Sequence, residues 1–287
     1  MTKKYALIGY PLHHSFSPGM HNAGFKALGI DAEYRSLEIP SEREVDAFIQ
    51  SLHASGYAGF NVTVPYKTKF ITEVKDVYCC SDESVRAIGA VNTVTLESGF
   101  YCGYNTDWYG FLKALAIDLS FSPAGKTALL IGTGGAGKAC LYALLKSKAH
   151  KVVISDKDLQ KAFALRQHYA TSGDFSSSAL EVIEPENIAH DLQRFDLIVN
   201  ATTCGMHADD PELIAERDLA HTSACVYDLI YNPAETKLVN AARAHGLNAS
   251  NGLMMLLYQG VRAFELWTGH DAPVDVMKKA LLAQLSH

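Results

Sequence analysis

A glycine-rich segment near the middle of the chain has the spacing of a dinucleotide-binding loop. Gly132, Gly134 and Gly137 fit the pattern G-x-G-x-x-G directly after an apolar run. The first glycine allows a tight turn, the second lets the backbone approach a pyrophosphate, and the third lets a helix pack closely against a strand. The next apolar run ends in Asp156, about 20 residues beyond the loop, where an acid accepts hydrogen bonds from the adenosine ribose. The predicted cofactor contacts here are Gly132, Gly134, Gly135, Ala136, Gly137 and Asp156.

The charges next to Asp156 bear on which dinucleotide binds. A carboxylate at this position repels the 2′-phosphate of NADP, which predicts NAD as the preferred cofactor. Lys157 is a neighbouring cation that could tolerate a phosphate, so weaker use of NADP stays open. The alternative for the whole segment is a cluster of turn glycines followed by a solvated aspartate.

A polar constellation occupies the first third of the chain. Ser15 and Ser17 follow the first predicted strand directly, at the edge where open α/β sheets bind ligands. Their hydroxyls, two residues apart, can hold a small polyol or a carboxylate. The alternatives are an ordinary Ser-Pro turn and, for Lys67, a solvated surface lysine. The constellation comprises Ser15, Ser17, Asn61, Thr63, Lys67, Asn92 and Asp107.

Strand-like apolar runs alternate with helical periodicity along the whole chain, which predicts an α/β fold with mostly parallel sheets. Alternation places Asn61 and Thr63 on one face of a strand. Ser41 is a predicted N-cap with Glu44 completing a capping box, so a helix is expected to follow. The apolar runs are residues 5–8, 34–39, 59–64, 127–131, 152–155, 197–200 and 226–229.

Composition narrows the class of protein. The 287 residues are 48% hydrophobic and 20% charged, which is typical of a globular chain and excludes disorder for most of it. A net charge of −6 without a basic block argues against nucleic acid as a partner. Residues 1–8 resemble neither a signal peptide nor a membrane span, so a cytoplasmic protein without a membrane partner is expected.

Neither the cysteines nor the histidines have the spacing of a metal site. No C-x-x-C pair occurs, which predicts free thiols in a reducing compartment, with Cys204 in a packing role. His13, His14 and His21 have no cysteine or carboxylate cluster at ligand spacing, so we expect no metal. The six cysteines are Cys79, Cys80, Cys102, Cys140, Cys204 and Cys225.

The polar motifs, in this order, resemble those of the shikimate dehydrogenase family. Segment 200–206 is similar to its N-A-T-x-x-G-M loop, and Tyr231 with Pro233 and Thr236 is similar to its Y-x-P-x-x-T segment. Segment 252–259 resembles its G-x-x-M-L-x-x-Q helix. The resemblance spans nearly the whole chain.

The resemblance implies an oxidoreductase that transfers a hydride reversibly between a nicotinamide and C3 of shikimate or 3-dehydroshikimate. Lys67 and Asp107 would form the catalytic pair, with Lys67 as general base in oxidation and general acid in reduction. Ser15 and Ser17 would bind the substrate carboxylate. Ring hydroxyls and further substrate contacts are implied for Asn61, Thr63, Lys67, Asn92, Asp107, Tyr231 and Gln259. Further cofactor contacts are implied for Thr202, Gly252 and Met255.

The implied architecture has two α/β domains with the active site in a cleft where they meet. Residues 1–106 plus 252–287 would form the substrate-binding domain, and residues 107–251 a doubly wound Rossmann domain. An aspartate at position 156 is similar to what the NAD-using quinate/shikimate branch of the family has there. A serine at position 17 is similar to the shikimate-preferring pattern, because quinate-active relatives often have threonine at that position.

Alternatives to this function are a quinate dehydrogenase, a catalytically silent nicotinamide-binding sensor, and a methylene-tetrahydrofolate or amino-acid dehydrogenase. Either a monomer or a homodimer is expected.

Overall fold

The computed structural model describes residues 2–13, 15–73, 82–172 and 175–286. His14, Cys79 and Cys80 lie outside these residues. The chain divides into two compact units, Met1–Asp107 with Leu256–His287, and Trp108–Met255. Both units are α/β, as predicted.

The first unit is built on a five-stranded sheet in the order β2-β1-β3-β4-β5. β1 pairs in parallel with β2 and β3, whereas β3–β4 and β4–β5 are antiparallel. The strands are β1 Lys3–Gly9, β2 Ala32–Glu38, β3 Tyr57–Val62, β4 Thr93–Glu97 and β5 Phe100–Tyr104. The first helices are α1 Ser17–Ala27, α2 Glu42–Gln50, α3 Lys69–Glu73, α4 Glu83–Ile88 and α5 Asp107–Asp118. Only the first residue of α5, Asp107, belongs to the first unit. The C-terminal helices are α10 Leu253–Thr268 and α11 Val274–Ala283.

The hairpin β4–β5 makes this sheet mixed rather than mostly parallel, so the predicted pairing holds only for β1, β2 and β3. Its turn is formed by Ser98 at φ 50° and Gly99 at φ 87°. Two consecutive positive φ values give a turn whose twist matches that of the paired strands. A second difference is that β3 ends at Val62, so Thr63 lies just beyond the strand rather than inside it.

The predicted capped helix is confirmed in α2. Ser41 Oγ accepts a hydrogen bond from the Glu44 N–H at 3.3 Å and donates to Glu44 Oε1 at 2.9 Å. Val45 is fully buried in the core under the sheet, with Phe48 packed against it. Local capping and the apolar face thus fix the same helix.

The second unit is built on a six-stranded sheet in the order β11-β10-β9-β6-β7-β8, with every pair parallel. This is the doubly wound order of a dinucleotide-binding fold, in which the first strand, β6, lies between β7 and β9. The strands are β6 Thr127–Ile131, β7 Lys151–Ser155, β8 Leu180–Val182, β9 Leu197–Asn200, β10 Cys225–Asp228 and β11 Ala249–Ser250. The helices wholly within this unit are α6 Gly135–Lys146, α7 Leu159–Ser172, α8 Ile188–Asp191 and α9 Lys237–Ala244.

The core of this unit is aliphatic. Leu129, Val153, Ile198 and Val226 come from the four central strands and are fully buried.

Within the described part of the chain, no helix combines the length and apolarity needed to cross a bilayer.

Candidate functional site

Lys67 and Asp107 form a close ion pair in the first unit. Lys67 Nζ lies 2.5 Å from Asp107 Oδ2, and the two side chains are 14% and 7% exposed. Lys67 follows β3, and its carbonyl oxygen accepts a hydrogen bond from the Val91 N–H at 2.9 Å. Asp107 is the first residue of α5. Because little water reaches the pair, its electrostatic interaction is much stronger than that of a surface pair.

Asn92 orients the carboxylate of this pair. Its Nδ2 donates to Asp107 Oδ1 at 2.9 Å, while its Oδ1 accepts from the Thr106 N–H at 2.7 Å. Gln259 Oε1, on α10, lies 3.2 Å from the same Nδ2. The fold therefore brings together four residues that are widely separated in the sequence. Lys67 and Asn92 contact the Asp107 carboxylate, and Gln259 contacts Asn92.

Asn61 lies behind Asn92, with its amide engaged by the protein. Its Nδ2 donates to the Asn92 carbonyl oxygen at 3.0 Å and to Thr93 Oγ1 at 2.9 Å. Its Oδ1 accepts from the Tyr34 hydroxyl at 2.7 Å. Both amide hydrogens are thus used, and a ring hydroxyl could reach Asn61 only as a further donor to Oδ1.

Ser15 and Ser17 lie at the start of α1. The Ser17 N–H donates to Ser15 Oγ at 3.3 Å, and Ser17 is buried as the first residue of the helix. The backbone N–H groups and partial positive charge of an 11-residue helix N-terminus suit a carboxylate. Thr63 donates its N–H to the Ile8 carbonyl oxygen at 2.8 Å, and a Cβ on Gly9 would overlap the Thr63 methyl group. Glycine at position 9 therefore lets the Ser15 loop begin beside Thr63.

The glycine-rich loop of the second unit joins β6 to α6, as predicted. Gly132 has φ 101°, which favours glycine, and Gly134 is the N-cap residue of α6. A Cβ on Gly137 would overlap the carbonyl oxygen of Gly132. Gly135 and Ala136 open the helix, so their N–H groups are among those without a partner inside it. The loop can therefore present N–H groups to a pyrophosphate.

We expect Gly137→Ala to destabilise the second unit by about 3 kcal/mol, because the methyl group meets backbone that must shift. Gly134→Ala is the matched control, since a Cβ there has no neighbour within 4 Å. Thermal unfolding of the three proteins measures the difference. Equal melting temperatures for the two variants would contradict the close approach of Gly137 to Gly132.

Asp156 follows β7 and closes against the glycine-rich loop. Its Oδ2 accepts from the Thr133 N–H at 2.8 Å and the Thr133 hydroxyl at 2.7 Å, and its Oδ1 accepts from the Asp158 N–H at 2.9 Å. Partial burial opposes ionisation, but these donors outweigh it and lower the pKa of the Asp156 carboxyl. Asp156 is thus an oriented anion with one acceptor position left on Oδ1.

A second carboxylate organises the loops after β9 and β10. Asn200 Nδ2 donates to Asp228 Oδ1 at 2.9 Å, and the Thr236 hydroxyl donates to Asp228 Oδ2 at 2.7 Å. Asn200 Oδ1 in turn accepts from the Thr202 N–H and hydroxyl at 3.0 and 2.7 Å. Sequence reasoning missed Asp228, although a carboxylate inside the apolar run 226–229 was a visible signal.

Burial raises the pKa of Asp228 from its ordinary value of 3.8 to about 6, because desolvation outweighs the hydrogen bonds it accepts. Between these values the folded protein binds more protons than the unfolded chain. The Asp228 contribution to the free energy of unfolding is therefore fully present at low pH, below about pH 4. It is lost as the pH rises through about 6, and the total loss is about 3 kcal/mol. We expect the free energy of unfolding of the wild type, relative to that of Asp228→Asn, to fall by about 2–2.5 kcal/mol between pH 4 and pH 7. Denaturant unfolding at both pH values checks it, and an unchanged difference would contradict the raised pKa.

The remaining predicted residues lie in the loop after β10 and at the start of α10. Burial raises the pKa of Tyr231. The Gly252 N–H donates to the Ile230 carbonyl oxygen at 3.0 Å, and a Cβ on Gly252 would overlap the Leu229 carbonyl oxygen. Met255 is buried at the end of the second unit.

The Asp107 network includes residues that were not predicted, among them Tyr34, Thr93, Asn105 and Thr106. Tyr34 lies in β2, and nothing in the sequence distinguishes it from a core tyrosine. Asn105 accepts the Asp107 N–H on its Oδ1 at 3.1 Å and so caps the start of α5. An asparagine two positions before a helical run was a readable capping signal.

Three family models match the sequence. They are described as the shikimate dehydrogenase substrate binding domain over residues 7–94, shikimate/quinate 5-dehydrogenase over residues 115–229, and the shikimate 5′-dehydrogenase C-terminal domain over residues 252–282. A protein of Carboxydothermus hydrogenoformans named shikimate dehydrogenase (NADP(+)) is 41% identical over 281 residues, covering 98% of this chain and 96% of the relative.

Two solved structures show the same likeness in three dimensions. A shikimate dehydrogenase in complex with NADP+ has a TM-score of 0.90 at 35% identity, covering 100% of this chain and 96% of the other. A quinate dehydrogenase from Corynebacterium glutamicum in complex with NAD has a TM-score of 0.87 at 30% identity, covering 98% and 99%.

Proposed function

Because the chain belongs to the shikimate dehydrogenase family of nicotinamide-dependent oxidoreductases, we propose that it transfers a hydride reversibly between NAD(H) and C3 of shikimate or 3-dehydroshikimate. The observation that carries the proposal is the enclosed pair of Lys67 and Asp107, held by Asn92 and Gln259. A lysine amine, a carboxylate and two amides suit a small polyhydroxy acid. The first unit would hold the substrate and the second the cofactor.

Proton transfer falls to Lys67 in this proposal. When bound, the nicotinamide accepts or returns the hydride. In reduction, the Lys67 ammonium gives a proton to the oxygen on C3 as that carbon gains its hydride. In oxidation, Lys67 first loses its own proton to solvent, and the neutral amine then takes the proton of the C3 hydroxyl as that carbon loses its hydride. Asp107 Oδ2 keeps the Lys67 amine in place. Asn92 fixes the rotation of the Asp107 carboxylate by donating to its Oδ1.

The substrate carboxylate would be bound by Ser15 and Ser17 at the N-terminus of α1. Thr63, Asn92, Gln259 and Tyr231 would contact the ring and its hydroxyls, with Asn61 limited to accepting a hydrogen bond on Oδ1. Quinate carries an extra hydroxyl on the tetrahedral carbon next to its carboxylate. Since Ser17 rather than threonine stands at this position, we infer a preference for shikimate over quinate.

We further infer that NAD is preferred over NADP, although the curated relative described above is named for NADP(+). The support is the oriented carboxylate of Asp156, whose remaining acceptor position suits a ribose hydroxyl and whose charge opposes a 2′-phosphate. The glycine-rich loop would hold the pyrophosphate, with Thr202, Gly252 and Met255 towards the nicotinamide.

Initial rates of nicotinamide reduction test the proposal, with shikimate and quinate each paired with NAD and with NADP. We expect shikimate with NAD to be fastest. A dominant quinate/NAD rate would instead support a quinate dehydrogenase, the alternative favoured by the likeness to the quinate dehydrogenase in complex with NAD. Activity with NADP alone would contradict the role of Asp156, and no activity in any pair would support a nicotinamide-binding sensor.

A further inference from the structure

A continuous series of buried hydrogen bonds connects Tyr34 to the Lys67–Asp107 pair. The Tyr34 hydroxyl donates to Asn61 Oδ1 at 2.7 Å, and Asn61 Nδ2 donates to the Asn92 carbonyl oxygen at 3.0 Å. Asn92 Nδ2 then donates to Asp107 Oδ1 at 2.9 Å. Tyr34, Asn61 and Asn92 are each at most 5% exposed.

The direction of each bond is fixed by groups that can act in only one way. The Asn92 carbonyl oxygen can only accept, so Asn61 must turn its Nδ2 towards it and its Oδ1 towards Tyr34. The Thr106 N–H can only donate, so Asn92 must turn its Oδ1 towards it and its Nδ2 towards Asp107. The two amides therefore have one consistent orientation. The Tyr34 hydroxyl is the donor at the start of this series of hydrogen bonds.

Tyr34 is itself rigidly placed. The Asn22 side chain donates to the Tyr34 carbonyl oxygen at 2.9 Å and accepts its N–H at 2.8 Å. The Tyr34 ring stacks on His21 with centroids 4.5 Å apart and lies 5.8 Å from the ring of Trp267. Burial holds the pKa of Tyr34 well above its ordinary value, so the hydroxyl keeps its proton and remains a donor.

We propose that Tyr34 is a positioning residue for the reaction, acting through Asn61 and Asn92 on the carboxylate of Asp107. The inference rests on the proposed function, because it assumes that the Lys67–Asp107 pair transfers the proton. Without the hydroxyl, Asn61 Oδ1 loses the hydrogen bond that it accepts from Tyr34. The Asn61 side chain is then held less firmly, and so is the Asn92 carbonyl oxygen to which its Nδ2 donates. A small displacement of Asp107 then slows the chemical step, which is sensitive to misplacement of its groups.

Tyr34→Phe tests the proposal, because it removes the hydroxyl and keeps the ring in its stack. We expect kcat to fall about fivefold to tenfold, with the KM for shikimate changed less than about twofold. Tyr5→Phe is the matched control: it removes a buried hydroxyl, 3.5 Å from the Trp267 carbonyl oxygen, from the same aromatic cluster. Its kcat is expected to stay within about twofold of the wild type. Equal kcat values for the two variants would overturn the proposal.

A double-mutant cycle with Asn61→Ala separates positioning from a general loss of packing. If Tyr34 acts through Asn61, Tyr34→Phe has no further effect on kcat once Asn61 is alanine. A full, independent loss in that background would overturn the proposed route. These outcomes are distinct from failure of the proposed function, which would show as near-normal turnover in Lys67→Ala.

Discussion

Replacement of Lys67 by alanine is expected to lower kcat for shikimate oxidation by about 10³-fold, the middle of the range for loss of a general base. The reason is the enclosure of the Lys67–Asp107 pair, whose side chains are 14% and 7% exposed. Little water can approach Lys67 Nζ, so solvent is a poor substitute for the missing amine. The KM for shikimate should change much less than kcat, because the proposed substrate contacts of Ser15, Ser17 and the amides would be kept. Steady-state kinetics with both substrates varied measures the two parameters separately.

Lys69→Ala is the matched control for this experiment. Lys69 lies two residues further along, and its Nζ pairs with Glu42 Oε2 at 2.5 Å and Asp46 Oδ1 at 2.9 Å rather than with Asp107. Its side chain is 16% exposed, similar to that of Lys67, but its two carboxylate partners are 71% and 45% exposed. Losing these pairs is expected to cost about 2 kcal/mol of stability at most and to leave kcat unchanged. A loss of less than about tenfold in Lys67→Ala would mean that Lys67 positions the substrate rather than moving the proton.

The parts of this protein that could be predicted from sequence are those governed by local rules. Gly132, Gly137 and Asp156 lie at a turn, at a close helix–strand approach and at a strand end, where the spacing predicts them. The hairpin β4–β5 was also governed by a local rule, the Ser98–Gly99 turn, but its short strands gave no periodicity that stood out from the parallel strands around it.

The arrangement around Asp107 could not be predicted in the same way. Tyr34 and Asn61 are 27 residues apart in the sequence, and Asn92 and Gln259 are 167 apart. The meeting of Tyr34 and Asn61 depends on the strand order β2-β1-β3-β4-β5, and that of Asn92 and Gln259 on where α10 packs. Side-chain spacing encodes neither arrangement. For this reason the sequence identified Asn61 as a polar residue on the right strand but gave no sign that the protein itself uses both of its amide hydrogens.

Replacement of Asp156 by alanine is expected to lower the ratio of kcat/KM with NAD to kcat/KM with NADP by about 100-fold, or about 2.7 kcal/mol. Two effects act in the same direction. In the proposed binding mode, NAD would lose a hydrogen bond to a charged acceptor, worth about 1.5–3 kcal/mol, and the 2′-phosphate of NADP would no longer meet a negative charge. The effect depends on Asp156 being ionised and oriented, and the two hydrogen bonds from Thr133 with the one from Asp158 secure both conditions.

Asp158→Ala is the matched control. It tests whether the effect requires the carboxylate of Asp156 itself or only a negative charge somewhere in the same turn. It removes an equal charge from the same loop, yet it keeps the Asp158 N–H that donates to Asp156. Asp158 also pairs with Lys161 at 3.5 Å, so its charge is partly neutralised, and we expect its ratio to change by less than about fivefold. Kinetics of the three proteins with both cofactors decides the matter. If the wild type already favours NADP, or if Asp156→Ala leaves the ratio within about threefold, then cations such as Lys157 and Lys161 select the cofactor in place of Asp156.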